Sequence, residues 1–448
     1  MTRRVSGSFF VKGMRKMEMY GWLCAFFLAG ILMTAGRIFR PRTGMRKTTA
    51  VISAFIFLLV TPAALAEDAV KVSETVVTTD RYGTSHYGAR EMYGPVTLVN
   101  LHGTWQEMGE QYGRLLKDRL IYVNQFIEKK METADKDLAA AIVATQSENA
   151  LSHINDFYRG AAKGSGLSVP EIQKINCLER LPGMLQCSAA IAWDEYTNGD
   201  LIIGRNYDYG SSFHDIADDI AVTIYHPADG SLPVATIGYV GEIYAVNAMN
   251  PTGLFLEYNN GTPTTGSIKA PPSFTGTSSL FDIMFRARAI GDLDRFFNTV
   301  RASSGCIINA ADATDARSYE WTYAETKRGD VGNTESLIVS SNYFLNPDWS
   351  YPVPEDEKSW MGKTRRDGLL ALCRAQKGNI DVEAMKRIIT TEMKDGGAAN
   401  TFTVYQIVTV PRTQEMWIRV VDRGDFVKID LTKYWENAEG ESVQKKAA

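Results

Sequence analysis

The sequence is poor in the residues that several common chemistries require. Its 448 residues include only five histidines and five cysteines. It contains neither an H-E-x-x-H pair nor paired C-x-x-C motifs, so no zinc site is expected. It also lacks the G-x-S-x-G turn that presents the serine of many hydrolases. We therefore expect neither a metal nor another cofactor.

Basic residues are not in excess. The chain has 48 Lys and Arg against 52 Asp and Glu, a net charge of −4, and its 45% hydrophobic content is typical of globular proteins. The first 66 residues contain ten basic residues and one acidic residue, which leaves 38 basic and 51 acidic residues, a net charge of −13, in the other 382. That acidic balance weighs against nucleic acid and anionic membranes as partners.

The first 66 residues predict a targeting segment. A start-like Met45 and the basic residues at 46–47 precede an apolar run at 50–60, and Ala-Leu-Ala follows at 64–66. This order is typical of a secretory signal peptide, with cleavage before Glu67. The apolar run is short compared with the ~20 residues that cross a bilayer. We therefore interpret residues 45–66 as a signal peptide and not as an anchor.

Residues 1–44 contain a second apolar run, from 20 to 35. We interpret these residues as an extension from a misplaced start codon, with an extra N-terminal anchor as the alternative. Once the leader is removed, the protein is expected to be periplasmic or secreted and without stable insertion in the membrane.

The pattern of apolar residues changes near residue 187. Residues 96–185 mostly follow helical spacing, whereas the chain after 187 contains short strand-like runs separated by turn residues. Two pairs of helical stretches interrupt these runs, at 280–302 and 364–393. This order suits two packed antiparallel sheets with helices outside, and it does not suit a doubly wound parallel sheet. The predicted fold class is α+β.

The four cysteines after the leader are too few for a disulfide scaffold; they are Cys177, Cys187, Cys306 and Cys373. Cysteine nucleophiles usually need a histidine as base, and no histidine here lies in a catalytic motif. A cysteine that becomes the first residue of a chain can use its own α-amine, whose pKa is roughly 7.7–8.0. Cys187 follows a Pro-Gly break and begins the strand-like region, which suits a cut before it. The alternative is that Cys187 is a core residue.

Residues 187–208 resemble the N-terminal nucleophile (Ntn) hydrolases of the choloylglycine hydrolase superfamily. In that family the nucleophilic cysteine starts a strand, and a hairpin returns a Gly-Arg-Asn-x-Asp segment, which stands here at 204–208. Three weaker matches are similar to segments of the same superfamily, at 102–113, 250–259 and 341–344. The resemblance extends from about 96 to 431. Its main departure is Gln186, where the isopenicillin-N acyltransferase branch usually has glycine.

The resemblance implies a four-layer αββα sandwich and a role for each matched residue. Cys187 would be the nucleophile, Asp208 would orient its freed amine, and Arg205 would pair with Asp208 or lie against the thiolate. Asn259 would donate to the oxyanion, with the adjacent Asn260 as the alternative. Asn342 would be a second polar residue that supports the substrate or the nucleophile. The superfamily also uses a later arginine, for which Arg365 and Arg366 are both candidates.

The implied domain is built from two pieces of chain: a helical prosegment, 67–186, and a catalytic chain, 187–448. The implied function is that of an exported, self-processing amidohydrolase, which cleaves a linear carbon–nitrogen amide bond of a small N-acyl substrate through an acyl-thioester. Transfer of the acyl group to another amine is left open, as is a homo-oligomeric state. The alternatives are a phospholipase-B-like or ceramidase-like hydrolase of lipid amides or esters, and a non-catalytic exported binding protein that retained the fold.

Overall fold

The computed structural model of the protein describes residues 74–133, 151–177, 186–266 and 276–435. The predicted signal peptide at 45–66 and the extension before it lie outside these ranges. Within the described ranges, no helix has both the length and the apolar character needed to span a bilayer.

The strands are, in chain order, β1 (Glu74–Thr79), β2 (Ser85–Tyr93), β3 (Val96–Gly103), β4 (Gln186–Ala192), β5 (Ile202–Asp208), β6 (Ile220–Pro227), β7 (Val234–Tyr239), β8 (Asn247–Met249), β9 (Phe255–Asn260), β10 (Cys306–Ala311), β11 (Ala316–Trp321), β12 (Thr326–Arg328), β13 (Leu337–Ser340), β14 (Thr403–Val410), β15 (Glu415–Val420) and β16 (Val427–Asp430). The α-helices are α1 (Trp105–Leu115), α2 (Lys117–Thr133), α3 (Ser152–Ser165), α4 (Val169–Ile175), α5 (Thr262–Thr265), α6 (Gly276–Met284), α7 (Ile290–Thr299), α8 (Gly362–Ala375) and α9 (Val382–Thr390).

The strands form two sheets that pack against each other. One sheet has the order β1-β2-β3-β6-β7-β8-β9-β10-β11-β12, and the other has the order β13-β4-β5-β14-β15-β16. A large apolar core includes side chains of both sheets, and a second core lies between the six-stranded sheet and helices α8 and α9. Helix α1 packs on β1, β2 and β3 of the ten-stranded sheet. This arrangement of helices outside two sheets confirms the predicted α+β sandwich.

Two details differ from the expectation. The segment 67–186 is not entirely helical, because it contains β1, β2 and β3. The apolar run of β3 is short, and periodicity alone does not separate a strand from a buried helix in such a run. Among the strands that the structure describes, all neighbours in the two sheets are antiparallel except β3 and β6, which pair in parallel. Residues 104–219 connect these two strands by way of the hairpin β4–β5, and a parallel pair requires a long connection of this kind.

Helices α1 and α3 approach closely because glycines line their contact. A Cβ atom built on Gly109 of α1 would lie 2.1 Å from the carbonyl oxygen of Phe157 in α3. A methyl group at this position would therefore force the two helices apart. The contact anchors α3 beside β1–β3.

Candidate active site

The hairpin of β4 and β5 lies inside the six-stranded sheet and carries Cys187 and Arg205. Its register pairs Cys187 with Tyr207 and Ala189 with Arg205. Side chains that lie opposite each other share a face of the sheet, and faces alternate along a strand. Cys187 and Arg205 therefore point to the same face, toward the core between the sheets. Asp208 points to the other face, toward α8.

Arg205 is fully buried and lies against the thiol of Cys187. Its Nη2 atom is 3.4 Å from Cys187 Sγ and donates to the carbonyl oxygen of Tyr258 at 2.6 Å. Its Nη1 atom donates to Asn259 Oδ1 at 2.9 Å and forms an ion pair with Glu257. Arg205 was expected either to pair with Asp208 or to lie against the thiolate, and in the structure it lies against the sulfur. A guanidinium at this position stabilises a thiolate.

Asn259 belongs to a buried polar network between β9, β10 and β13. Its Nδ2 atom donates to Glu257 Oε1 at 3.2 Å and to Ser340 Oγ at 3.1 Å. Asn309 of β10 donates to the same two acceptors. The side-chain amide that was expected to face an oxyanion is thus engaged within the network in the uncut chain.

Asn260, the alternative to Asn259, lies on the opposite face of β9. Its side chain is only half-buried, and its Oδ1 atom accepts from the backbone N–H of Thr262 at 3.0 Å. Because faces alternate along β9, Asn259 is the member of the pair that lies with Arg205.

Asn342 and Arg365 contact the backbone of Cys187 from the loop after β13 and from α8. The backbone N–H of Cys187 donates to Asn342 Oδ1 at 3.0 Å, and Arg365 Nη1 donates to the carbonyl oxygen of Cys187 at 2.9 Å. Arg365 Nη2 also donates to Asn342 Oδ1 at 2.7 Å. The other end of the amide is fixed, because Asn342 Nδ2 donates to the carbonyl oxygen of Asn260 at 2.9 Å. The backbone of Cys187 is therefore held at both its nitrogen and its oxygen.

Helix α8 decides between the two candidate arginines. Arg365 is fully buried, and its Nε atom donates to the carbonyl oxygen of Trp360 at 3.1 Å. Arg366 points elsewhere and donates to the carbonyl oxygen of Val339 at 3.0 Å. Trp360 and Met361 both have left-handed backbone angles, with φ of 55° and 58°, and this turn sets the direction in which α8 begins.

Asp208 is fully buried beside Arg365 and not beside Arg205. Its Oδ2 atom lies 3.5 Å from Arg365 Nη1 and accepts from Asn400 Nδ2 at 3.2 Å. Burial raises the pKa of Asp208 to about 6, and the charge of Arg365 opposes that shift. Asp208 thus contacts Arg365, which in turn donates to the carbonyl oxygen of Cys187. Asn342, by contrast, directly accepts the hydrogen bond from the Cys187 nitrogen.

The sequence motifs did not include Glu257, although it forms the ion pair with Arg205. Its side chain is fully buried, and strand β9 places it on the same face as Asn259, two residues later. A signal was present, because a carboxylate inside an apolar strand is rarely buried unless it is paired. The sequence alone does not show which face of that strand is buried.

The site is closed in the uncut chain. Cys187 has none of its surface exposed, and Gln186 is 5% exposed. Gln186 and Cys187 are consecutive residues of β4, paired with Asp208 and Tyr207. Among the residues that the structure describes, no group of three or more His, Cys, Asp or Glu side chains could hold a metal ion.

Comparison with known proteins gives similar solved structures and no similar sequences. No protein-family model and no curated protein matches the chain. The structure is similar to that of an N-acylethanolamine-hydrolyzing acid amidase ortholog from Caenorhabditis elegans, with 15% identity over 50% of this chain and 93% of that chain and a TM-score of 0.39. It is also similar to a mutant of conjugated bile acid hydrolase from Clostridium perfringens, with 11% identity over 57% of this chain and 95% of that chain and a TM-score of 0.38.

A third similar structure is penicillin V acylase from Agrobacterium tumefaciens, with 11% identity over 55% of this chain and 87% of that chain and a TM-score of 0.33. At these identities and TM-scores the likenesses do not identify the activity of this chain, which has to be inferred from the contacts around Cys187.

Proposed function

We propose that the protein is an exported, self-processing amidohydrolase whose nucleophile is Cys187 at the start of a newly formed chain. One observation carries the proposal. Three different side chains contact three different groups of this residue: Arg205 the sulfur and Asn342 the nitrogen, which would both react, and Arg365 the carbonyl oxygen, which holds the backbone in place. A cysteine that merely fills space in a core needs no such set of polar partners.

Processing would cut the peptide bond between Gln186 and Cys187. The sulfur attacks the carbonyl carbon of Gln186, and the thiol proton passes to the Cys187 nitrogen as its bond to that carbon breaks. Water then hydrolyses the resulting thioester to the carboxyl group of Gln186 and the free thiol of Cys187. The cut frees an α-amine in the position where Asn342 now accepts from the backbone N–H. Both pieces would stay together, because β3 of the first piece is hydrogen-bonded to β6 of the second along seven residue pairs.

Catalysis would use the freed amine as the base. It takes the proton of the thiol, the sulfur bonds to the substrate carbonyl carbon, and the bond from that carbon to nitrogen breaks. The ammonium returns its proton to the leaving amine, and water then releases the acid and restores the thiol. Asn259 would donate to the oxyanion after its present hydrogen bonds rearrange, and a donor of this kind is typically worth ~10²–10³ in rate.

The first test is electrophoresis of the purified protein after removal of the leader. At the average residue mass of the chain, a cut before Cys187 gives fragments of about 13 and 29 kDa. Cys187→Ala should remain uncut. The matched control is Cys373→Ala, which removes another buried cysteine and should be cut normally; burial alone raises the pKa of the Cys373 thiol to about 12.

The second test is hydrolysis of a panel of N-acyl amides by the cut protein. Release of free amine by the native protein, and none by Cys187→Ala, would support the proposal. An uncut native chain that releases no amine, and that behaves like Cys187→Ala in both assays, would instead favour a non-catalytic binding protein.

Export has its own test. The proposed signal peptide predicts that the protein recovered from the periplasm or the culture medium begins at Glu67. A product from the same expression that still contains residues 45–66 in those fractions would contradict this part of the proposal.

A further inference from the structure

The loop that follows β13 carries Asn342 but has almost no regular structure of its own. Residues 341–350 contain only bends and a turn between β13 and the region that leads to α8. Asn342 must nevertheless hold the Cys187 nitrogen, Arg365 and the Asn260 carbonyl at once. Some other part of the molecule must therefore fix this loop.

Glu320 of β11 accepts hydrogen bonds from three donors of that loop. Its Oε1 atom accepts from the backbone N–H of Leu345 and, at 3.2 Å, from that of Asn346. Its Oε2 atom is also 3.2 Å from the Asn346 nitrogen, and it accepts from Trp349 Nε1 at 2.5 Å. Glu320 is 1% exposed, so water does not compete for these donors.

The position of Glu320 follows from the register of the ten-stranded sheet. Ile307 of β10 pairs with Asn259 on one side and with Glu320 on the other. Since paired residues share a face, Glu320 and Asn259 point to the same side of the sheet, two strands apart. At ~4.8 Å per strand, the two residues are separated by about 10 Å along the sheet.

Other contacts tie the same loop to neighbouring segments but involve fewer of its amides. Phe344 N–H donates to Thr264 Oγ1 at 2.9 Å, and Asn346 Nδ2 donates to the carbonyl oxygen of Arg328 at 2.7 Å. Lys327 Nζ donates to the carbonyl oxygen of Asp348 at 3.0 Å. Glu320 is the single side chain described that gathers donors from three residues of the loop.

We propose that Glu320 is a positioning residue: it fixes the 344–349 segment and thereby holds Asn342 in contact with the nitrogen of Cys187. It does not touch the reacting atoms itself. The role in catalysis depends on the proposed function, whereas the hold on the loop does not.

Hydrogen exchange of the uncut Cys187→Ala protein tests the hold on the loop. Glu320→Gln leaves one accepting oxygen for three donors and sets an NH2 group against at least one of them, so the segment should lose its fixed position and the amides of Leu345 and Asn346 should exchange at least about tenfold faster. The matched control is Glu107→Gln. It makes the same change in another buried carboxylate, which caps α1 through Thr104, and should leave exchange in 342–349 unchanged.

A double-mutant cycle tests the role in catalysis. Because Glu320 acts through Asn342, Glu320→Gln added to Asn342→Ala should lower kcat no further than Asn342→Ala alone. Glu320→Gln alone should lower kcat by about tenfold with a smaller change in KM. If Glu107→Gln lowers kcat at all, its loss should multiply with that of Asn342→Ala.

Unchanged exchange in 342–349 of Glu320→Gln would overturn the proposal, and so would losses of kcat that multiply in the Glu320–Asn342 cycle. If Glu320→Gln does not fold, Trp349→Phe removes one donor, and the same amides should exchange faster by a smaller factor. If the native protein neither cuts itself nor hydrolyses an amide, the proposed function fails, and the exchange experiment still decides whether Glu320 holds the loop.

Discussion

The buried ion pair of Arg205 and Glu257 allows the structural and chemical roles of Arg205 to be separated. Both side chains are fully buried, and Arg205 also contacts Cys187 Sγ at 3.4 Å. Arg205→Met keeps most of the side-chain volume but leaves the carboxylate of Glu257 without its cation. Glu257→Gln in addition removes that charge and keeps an oxygen that can accept from Asn309.

The expected size of the effect follows from the burial of both partners. Breaking one partner of a buried pair typically costs ~3–5 kcal/mol, whereas replacing both partners with neutral groups is often close to neutral. Arg205→Met should therefore lower the free energy of unfolding by about 3–5 kcal/mol. The double variant should recover more than half of that loss. Its amidase activity should nevertheless stay on the order of 10² below native, because the thiolate has lost the guanidinium.

Urea unfolding of the variants in a Cys187→Ala background gives the stabilities of a single uncut chain. Amide hydrolysis by the same variants with Cys187 intact gives the activities. A loss below about 1 kcal/mol for Arg205→Met would refute the assignment of a buried, mutually dependent pair. Recovery of activity together with stability in the double variant would refute the chemical role of Arg205.

Three further predictions concern stability. Burial raises the pKa of Asp208 to about 6 from its ordinary value of 3.8. The contribution of this carboxyl to stability is therefore complete below pH 3.8 and is lost as the pH rises through 6. Relative to the native chain, Asp208→Asn should gain ~2 kcal/mol between pH 4 and 7 by urea unfolding. His226 stacks on His102 at 4.1 Å, and burial lowers the pKa of His226 to about 3. The contribution of the neutral imidazole to stability is therefore present above pH 6.5 and is lost as the pH falls. His226→Gln should lose less stability than the native chain between pH 7 and 4. Gly109→Ala should cost ~1–3 kcal/mol because its methyl group meets α3, whereas Gly291→Ala, which has open space around it, should gain ~0.5–1 kcal/mol.

Each of these has an outcome that would contradict it. An Asp208→Asn difference that is constant with pH would mean that the carboxyl does not titrate there. Equal acid sensitivity of His226→Gln and the native chain would assign the acid response to other groups. Equal melting temperatures for the two glycine variants would contradict the close approach of α1 and α3.

The motifs named candidate residues that lie close together in sequence. The resemblance included Arg205 in the hairpin from Cys187 to Asp208 but left open whether it pairs with Asp208 or lies against the thiolate, and the register of β4 and β5 places it on the face of the thiol. The choice between Arg365 and Arg366 needed the structure, because adjacent helical residues point about 100° apart and the start of α8 is fixed by an unusual turn. Pairings between distant segments could not be predicted, since a strand pattern does not identify its neighbour.

Strand β3 is a second case in which neither the type of the element nor its partner could be predicted from local sequence. Its apolar run is short, and periodicity alone does not separate a strand from a buried helix in such a run, although the preceding Gly94-Pro95 favours the strand. Its partner β6 begins more than a hundred residues later. Likewise, Glu257 and Glu320 gain their partners from β5 and from the loop after β13, and no local pattern marks either contact.

The central claim is that Cys187 becomes the first residue of a chain and carries the acyl group during turnover. The most direct measurement is the mass of the large fragment after brief reaction with an N-acyl amide and quenching in acid. The account predicts a fragment that begins at Cys187 and is heavier by one acyl group, which hydroxylamine removes. A fragment that begins elsewhere, or an acyl group attached to another residue, would contradict it.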